Sequence, residues 1–359
     1  MLEAIFYPLV KYFSFFNIFK YISFRAAYAA VTALLLSFMF GPRVIDMLTR
    51  LKLGQEVRND GPQSHLSKAG TPTMGGVLIV LSVTISILLW QDIKQFYTWL
   101  MVLALIGFGG LGFMDDYLKI SRKSSEGLRS SLKLSGQLAI SAIIMTVLYL
   151  TKNDHTTLLY IPFLKNPVLD MGIFYIPFGI FYLVGFSNAV NLTDGLDGLA
   201  TGLMIFALIA FSVISYLSGH VGFADYLQIP YLTGSGELTI SSFALLGACV
   251  GFLWFNCHPS EIMMGDTGSL SMGGFLALLS LILKKEILLL VIGGVFVIET
   301  ASVMIQVYSF KRTGKRVFKM APLHHHFELV GWAESKVVTR FWILGGMFAI
   351  LGLSTLKIQ

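Results

Sequence analysis

The sequence has little charge for its length. Charged residues make up 13% of the 359 residues, whereas hydrophobic residues make up 55%; globular proteins carry roughly 25% charged residues. Disordered chains combine low hydrophobicity with high charge, so this composition excludes that class. A water-soluble enzyme needs more polar surface than these residues supply. The composition therefore favours a protein that lies mostly in lipid.

Cysteine is also scarce, with Cys249 and Cys257 as the two copies. In a helix they would lie about 12 Å apart along the axis, too far for a disulfide. They indicate neither a redox compartment nor a zinc site. The net charge of +6 does not indicate a nucleic-acid partner, because Lys and Arg cluster in a few loops, as in polytopic membrane proteins.

Long apolar segments dominate the sequence. A membrane-spanning helix needs about 20 apolar residues, and ten segments approach that length. They lie at residues 26–40, 73–90, 96–114, 134–150, 171–187, 199–217, 238–256, 269–283, 287–310 and 341–356. We therefore expect an all-α polytopic membrane protein with a single domain, residues 1–359. Residues 1–25 are rich in Phe and Tyr, which predicts an interfacial helix.

The loops differ in charge. The loops after the first, third, fifth, seventh and ninth segments together hold most of the Lys and Arg residues. The positive-inside rule places these loops in the cytoplasm and both termini outside. The polar clusters at 115–116, 188–197, 256–266 and 324–326 fall in the same loops. The sequence thus predicts a functional site at the cytoplasmic face.

Asp115 and Asp116 end the third apolar segment. Adjacent carboxylates at a membrane boundary repel each other and lose hydration, so a cation should lie nearby, such as Mg²⁺ or Lys119. The alternative interpretation is two acids solvated at a helix end.

Residues 188–200 read Asn-Ala-Val-Asn-Leu-Thr-Asp-Gly-Leu-Asp-Gly-Leu-Ala. Asp194 and Asp197 are spaced to share one face of a helical turn, and Gly195 permits close approach of a ligand. The stretch contains no Lys or Arg, so its acids are expected to lack local partners. The alternative is a tight polar turn between two spans.

Asp266 lies between glycines, just before the eighth segment. The free N–H groups of that helix could hold a phosphate, and Asp266 could hold the metal that accompanies it. The alternative is that Asp266 or Ser269 merely caps the helix.

His324, His325 and His326 follow a basic stretch. Three consecutive histidines cannot all face one way, which argues against a three-ligand zinc site. Imidazoles beside cations suit pyrophosphate binding and acid–base chemistry. The alternative is a basic patch on anionic lipid headgroups.

Three further polar residues have two interpretations each. Lys68 could bind a phosphate, or it could be a lysine at a helix start that extends its ammonium group toward water. Glu299 and Gln306 share a helical face inside an apolar segment, so they should line a cavity or join helices.

Metal-assisted phosphoryl transfer to a lipid requires groups that bind a metal and phosphate at one membrane face. The sequence predicts such a set there: unpaired acids, glycines, a lysine and histidines. An ion-coupled transporter using Asp115, Asp194 and Glu299 is a rival hypothesis, as is a membrane scaffold. Transporters place such groups near the midplane, often in inverted repeats, and the sequence shows neither pattern.

The motifs resemble a known family. They are Arg58-Asn-Asp-Gly-Pro62, Thr71-Pro-Thr-Met-Gly-Gly76, Asp115-Asp116, the run 188–200, Met264-Gly-Asp266 and Ala321-Pro-Leu-His-His-His326. In this order they resemble the phospho-N-acetylmuramoyl-pentapeptide-transferase family, within the polyprenyl-phosphate N-acetylhexosamine-1-phosphate transferase superfamily. The triple histidine separates this family from relatives that transfer GlcNAc-1-phosphate, which is the alternative activity.

The resemblance implies transfer of phospho-MurNAc-pentapeptide from UDP to undecaprenyl phosphate, with Mg²⁺, giving lipid I and UMP. It also implies ten transmembrane helices with both termini outside, a homodimer, and a bacterial inner-membrane location.

The resemblance also assigns roles to residues. Asp266 matches the Mg²⁺ ligand, Asp115 matches a carboxylate that deprotonates the lipid phosphate or acts as nucleophile, and Asp116 supports metal or phosphate. His324 matches an essential histidine. The positions that match the nucleoside site are Lys68, Thr73, Asn191, Asp194, Gly195, Leu196, Asp197, Asn256, Gln306 and His325, and we add His326 as a substrate contact.

Met263 departs from the family pattern, in which many members have an aromatic residue that stacks on uracil. Methionine can pack against a base through its polarizable sulfur, but it has no ring. The substitution bears on nucleoside affinity rather than on the reaction.

Overall fold

The computed structural model describes residues 1–50, 70–122, 127–151, 154–164 and 166–357. Within these residues the fold is built from α-helices. They are α1 (Leu2–Phe6), α2 (Ile22–Arg50), α3 (Gly76–Trp90), α4 (Phe96–Ser121), α5 (Ser130–Leu150), α6 (Tyr175–Thr193), α7 (Leu199–Ser218), α8 (Val221–Leu227), α9 (Leu238–Asn256), α10 (Gly265–Ile282), α11 (Glu286–Ile292), α12 (Gly294–Thr313), α13 (Leu323–Leu329) and α14 (Glu334–Ser354). Two short antiparallel strands, β1 (Leu158–Leu159) and β2 (Leu169–Asp170), pair between α5 and α6.

Eight helices in the described part of the chain are long and apolar enough to cross a membrane. A ninth candidate is the pair α11 and α12, which are bent by 85°, and α3 is apolar but has only 15 residues. All ten predicted segments overlap these helices. The prediction of a helical, multi-pass membrane protein is therefore confirmed, whereas the count of ten stays a prediction.

The segment predicted at 287–310 is a bent pair of helices, α11 and α12. The helix breaks at Gly293, and the axes of α11 and α12 differ in direction by 85°. Gly293 and Gly294 stand next to each other at the break, and glycine is a poor helix former. Paired small residues of this kind are a known cause of sharp kinks.

Helix α10 forms the centre of the bundle. Every residue from Thr267 to Ile282 is buried, and α10 packs against α4 on one side and α6 on another. Gly, Ala and Ser recur along α10. Small residues let helix backbones approach closely in lipid, where there is no hydrophobic force between helices. The first turn of α10 is thereby fixed between its neighbours.

Both ends of the described chain lie opposite the first turn of α10. The amino group of Met1 donates to the carbonyl of Gln91, just beyond α3, 3.3 Å away. Lys357 donates to the carbonyl of Tyr226, in α8, at 3.0 Å. Residues 2–20 form three short helical segments, and α2 begins at Ile22, whereas we expected a single interfacial helix over residues 1–25.

Candidate active site

Three carboxylates meet where α4 ends and α10 begins. Asp115 and Asp116 stand near the end of α4, and Asp266 stands in the first turn of α10. One oxygen of each lies within 4.8 Å of the others. We call these three residues the acidic cluster. The predicted convergence of the sequence clusters at 115–116 and 256–266 is confirmed.

Two glycines make this approach possible. A Cβ on Gly112 would lie 2.2 Å from the carbonyl oxygen of Asp266, and a Cβ on Gly76 would lie 2.0 Å from the amide nitrogen of Gly268. Both contacts are with backbone, which cannot move aside as a flexible side chain could. The start of α10 therefore touches α3 and α4 directly, and this contact sets the geometry of the acidic cluster.

Asp116 anchors the first turn of α10. One of its oxygens accepts from the amide of Asp266 at 3.1 Å. The other accepts from the amide and the hydroxyl of Thr267, at 2.9 and 2.7 Å. Helix N-termini present free N–H groups that need such partners. The alternative in which Asp266 or Ser269 merely caps α10 is wrong, because the cap comes from Asp116 on α4.

Two lysines supply the expected positive charge. Nζ of Lys119 lies 2.5 Å from Oδ2 of Asp115 and 2.9 Å from Oδ2 of Asp266. Nζ of Lys133, in α5, lies 2.7 Å from the same oxygen of Asp266. The sequence predicted Lys119 as a partner but missed Lys133, which stands at the start of an apolar helix where lysines are common.

Asn191 brings a further helix to the acidic cluster. It lies in the last turn of α6, and its Nδ2 donates to Oδ1 of Asp266 at 2.7 Å and to Oγ of Ser269 at 2.8 Å. Asp266 therefore has one oxygen held by an amide and the other held by ammonium groups.

Asp194 follows the last residue of α6. Burial, together with the negative charges of Asp266, Asp116 and Asp197, raises its pKa to about 8. The expectation that Asp194 and Asp197 share a helical face is wrong, because α6 ends at Thr193 and α7 begins at Leu199.

Asp197 has partners from distant parts of the chain, although its own stretch offers none. Its carboxylate accepts from the amide and hydroxyl of Ser260, at 3.2 and 3.0 Å, and lies 3.1 Å from Nδ1 of His258. The amide of Asp197 donates to Glu334 at 2.9 Å. No sequence pattern pointed to His258 or Glu334, since neither lies near Asp197 in the chain.

His324 packs against the connection between α6 and α7. A Cβ on Gly195 would lie 2.3 Å from Nε2 of His324. The imidazole is fully buried, and its Nδ1 lies 3.3 Å from Oε2 of Glu299. The triple-histidine segment therefore joins the same end of the bundle as the acidic cluster, as expected.

The other two histidines point to different partners. Nδ1 of His325 lies 2.9 Å from Glu328, and Nδ1 of His326 accepts from the amide of Lys319 at 3.1 Å. The expectation that three consecutive histidines diverge is confirmed.

Two of the expected substrate residues hold loops in place. Gln306 accepts from the amides of Val317 and Phe318, at 2.9 and 3.0 Å. Asn256 donates to the carbonyl of Ile262 at 2.9 Å. Both amides support the backbone on which neighbouring site residues stand.

The segment before α3 pairs with the segment before α10. The amide of Met263 donates to the carbonyl of Pro72 at 2.8 Å, and the amide of Gly75 donates to the carbonyl of Met263 at 2.9 Å. Thr73 lies inside this pairing, close to Gly265. Leu196, in the α6–α7 connection, is buried, whereas Lys68 lies outside the described residues.

Comparison with known proteins identifies the family. A protein of Thermodesulfovibrio yellowstonii named phospho-N-acetylmuramoyl-pentapeptide-transferase is 52% identical over the full length of both chains. Proteins of the same name from Rickettsia felis and Desulfosudis oleivorans are 55% and 50% identical, over 96% and 100% of both chains. The chain belongs to the phospho-N-acetylmuramoyl-pentapeptide-transferase family.

The family matches fall on the residues that build the site. The model of glycosyl transferase family 4 matches residues 97–284, which include the whole acidic cluster. The phospho-N-acetylmuramoyl-pentapeptide-transferase signature 1 matches residues 68–80. This signature contains Thr73 and the backbone that pairs with Met263.

Proposed function

We propose that the protein transfers phospho-MurNAc-pentapeptide from UDP to undecaprenyl phosphate, giving lipid I and UMP. The observation that carries this proposal is the identity of about half of all residues, over the full chain, with transferases of that name. The arrangement of the site supports it, since phosphoryl transfer depends on positioning and on charges that offset the charge on phosphate oxygens.

The acidic cluster fits a divalent cation. Carboxylate oxygens are the ligands that Mg²⁺ prefers, and three carboxylates approach within 4.8 Å of one another. We propose that Asp266 and Asp115 hold Mg²⁺, with Asp116 fixing Asp266 through its hydrogen bonds to the first turn of α10. When bound, the ion offsets the charge that develops on the pyrophosphate oxygens.

Lys119 and Lys133 are suited to bind phosphate. Both ammonium groups already lie within 3 Å of Asp266, and each stands on a flexible four-carbon chain. In our proposal they turn from the carboxylates toward the phosphate oxygens of the two substrates.

Asp115 has two possible roles, and the resemblance allows either. It can take the proton from the lipid phosphate, which then attacks the sugar-bearing phosphorus of the donor and displaces UMP. Alternatively, its carboxylate can attack that phosphorus and displace UMP, and the lipid phosphate then displaces the carboxylate. Its Oδ1 accepts from the amide of Leu128 at 2.8 Å, which fixes the carboxylate and leaves Oδ2 beside Lys119.

The uridine end of the donor is proposed to lie along the connection between α6 and α7. Asp194, Gly195, Leu196 and Asp197 form this connection, and His324 closes one side of it. Ser260 contacts both Asp197 and, at 3.6 Å, the sulfur of Met263. In this proposal five further residues contact the donor or support these loops: Thr73, Asn256, Gln306, His325 and His326. Lys68 is proposed to bind phosphate.

We further propose ten spans, both termini outside, a cytoplasmic active site, an inner-membrane location and a homodimer. The positive charge of the loops near the site supports this orientation. So does the location of both termini at the end of the bundle away from the acidic cluster.

The test is release of UMP by purified protein supplied with UDP-MurNAc-pentapeptide, undecaprenyl phosphate and Mg²⁺. Release should need all three, and mass spectrometry should detect lipid I. Asp266→Asn should lower the rate about 100-fold or more, whereas Asp225→Asn, at an exposed position in α8, should not. Release from UDP-GlcNAc instead would assign the GlcNAc-1-phosphate activity, and no release from either donor would overturn the proposal.

A further inference from the structure

The segment between Glu299 and Glu328 contains no acidic residue but is rich in cations. We call residues 311–319 the basic loop, and its cations are Lys311, Arg312, Lys315, Arg316 and Lys319. All five are exposed. Among the residues that the structure describes, none of the five forms an ion pair with a carboxylate. Within the described part of the chain, no carboxylate therefore neutralises the positive charge of the loop.

The basic loop has a fixed backbone. Gln306 accepts from the amides of Val317 and Phe318 and donates to the carbonyl of Phe318 at 3.0 Å. Ser309 donates to the carbonyl of Lys315, also at 3.0 Å. The cations therefore stand on an ordered surface, and the position of Gln306 inside an apolar helix has a structural explanation.

The loop begins where the apolar surface of α12 ends. The exposed apolar residues just before it are Met304, Ile305, Val307, Tyr308 and Phe310. In a membrane protein such a surface contacts hydrocarbon. Arg312 donates to the hydroxyl of Tyr308, and tyrosines favour the boundary between hydrocarbon and headgroups. The cations are thereby placed at the level of the headgroups.

The basic loop is tied to the histidine segment. The amide of Lys319 donates to Nδ1 of His326 at 3.1 Å, and its Nζ donates to the carbonyl of Leu329 at 3.0 Å. Both acceptors belong to α13, which also carries His324. A ligand that holds the basic loop therefore also restrains the helix that places His324 against Gly195.

We propose that the basic loop binds the phosphate groups of anionic phospholipids in the bilayer, and that this binding holds α13 in its position. Basic segments beside a membrane helix attract anionic headgroups. The cations spread over an open surface instead of converging on a pocket, which fits many mobile headgroups better than one substrate phosphate. The effect on catalysis rests on the proposed transferase activity, whereas the lipid binding does not.

The test compares Lys311→Gln/Lys315→Gln with Lys11→Gln/Lys20→Gln, which removes the same charge at exposed positions near the N-terminus. In the described structure the side chains of Lys311 and Lys315 make no hydrogen bond, so the variant should fold. Each protein is placed in nanodiscs of phosphatidylcholine with or without phosphatidylglycerol. Crosslinking with photoactivatable phosphatidylglycerol is mapped by mass spectrometry, and hydrogen exchange is followed at Val317 and Phe318.

We expect phosphatidylglycerol to crosslink to the basic loop and to slow exchange at Val317 and Phe318. Both effects should fall roughly tenfold in Lys311→Gln/Lys315→Gln and persist in the control variant. Equal crosslinking and exchange with or without the two lysines would overturn the proposal. Neither measurement depends on turnover. Lipid binding can therefore be tested even if the protein shows no transferase activity.

The rate of UMP release separates phospholipid from substrate. In our proposal the rate rises with phosphatidylglycerol for the parent protein and not for Lys311→Gln/Lys315→Gln. If this variant instead raises the KM for undecaprenyl phosphate in pure phosphatidylcholine, the loop binds the substrate phosphate, and the proposal of a phospholipid site is overturned.

Discussion

Glu299 approaches His324 with both carboxylate oxygens inside the protein, through one hydrogen bond and one close charge contact. One carboxylate oxygen accepts from the backbone amide of His324 at 3.2 Å, and the other lies 3.3 Å from Nδ1 of its ring. Both side chains are fully buried. A carboxylate beside Nδ1 favours the tautomer with a proton on that atom, so Nε2 faces Gly195 as an acceptor.

Replacing Glu299 with Gln should therefore remove the charge that orients the His324 ring and slow the reaction. We expect the kcat for UMP release to fall about 10- to 100-fold with little change in KM, and the pH profile of kcat to shift. Ser302→Ala is a matched control, because Ser302 is buried in the same helix and donates only to the carbonyl of Glu299. An unchanged pH profile and kcat in Glu299→Gln would contradict this role.

Gly112 should tolerate no side chain. Gly112→Ala places a Cβ against the backbone of Asp266 and Thr267, so α10 must move away from α4. A displacement of about 1 Å at a reacting centre can cost about 100-fold in rate. Gly110→Ala is the control, since a Cβ there meets no atom within 4 Å. Rates and melting temperatures of the two variants are compared, and equal rates would refute the argument from close contact.

The raised pKa of Asp194 predicts how stability changes with pH. Its pKa rises from 3.8 to about 8, because burial and neighbouring carboxylates disfavour the charged form. The folded protein binds this proton more tightly than the unfolded chain does, so Asp194 costs stability progressively as pH rises from 3.8 to about 8. Asp194→Asn removes this cost.

The melting temperature of Asp194→Asn, relative to the parent protein, should therefore be higher at about pH 9 than at about pH 5. The measurement uses protein without metal or substrate, and Asp225→Asn controls for the loss of a surface charge. A difference in melting temperature that stays constant with pH would show that Asp194 titrates in the ordinary range.

Met263→Phe should strengthen binding of the UDP-linked donor. Stacking of a base on an aromatic ring contributes about 1–3 kcal/mol, so we expect a severalfold lower KM for the donor. Met263→Leu, which has neither ring nor sulfur, is the control. A KM that is unchanged or raised in Met263→Phe would count against uracil stacking at this position.

The sequence predicted the convergence of the site but not its internal contacts. The apolar segments predicted the helices, and the charges of the loops led us to expect Asp115, Asp266 and His324 at one face. The hydrogen bonds of Asp116 to Thr267 join residues 151 apart in the chain. Such a contact depends on how α4 packs against α10, and no local pattern contains that information.

The same limit explains the features that the sequence did not predict. The partners of Asp197 lie 61 and 137 residues away, between α9 and α10 and at the start of α14, so its own stretch suggested an acid without partners. By hydropathy, residues 287–310 form one apolar segment. Two glycines lower the mean hydropathy of such a segment only slightly, so the bend between α11 and α12 leaves no clear signal in it. Single-domain organisation stays a prediction.

The wide spacing of the acidic cluster along the chain has a consequence for biosynthesis. Asp115 enters the bilayer region long before α10 exists, and Asp266 arrives only after most of the chain has been made. His324 follows later still. In our proposal Asp115 is therefore inserted without Asp266 and His324 beside it, and turnover begins only after α10 and α13 have been made.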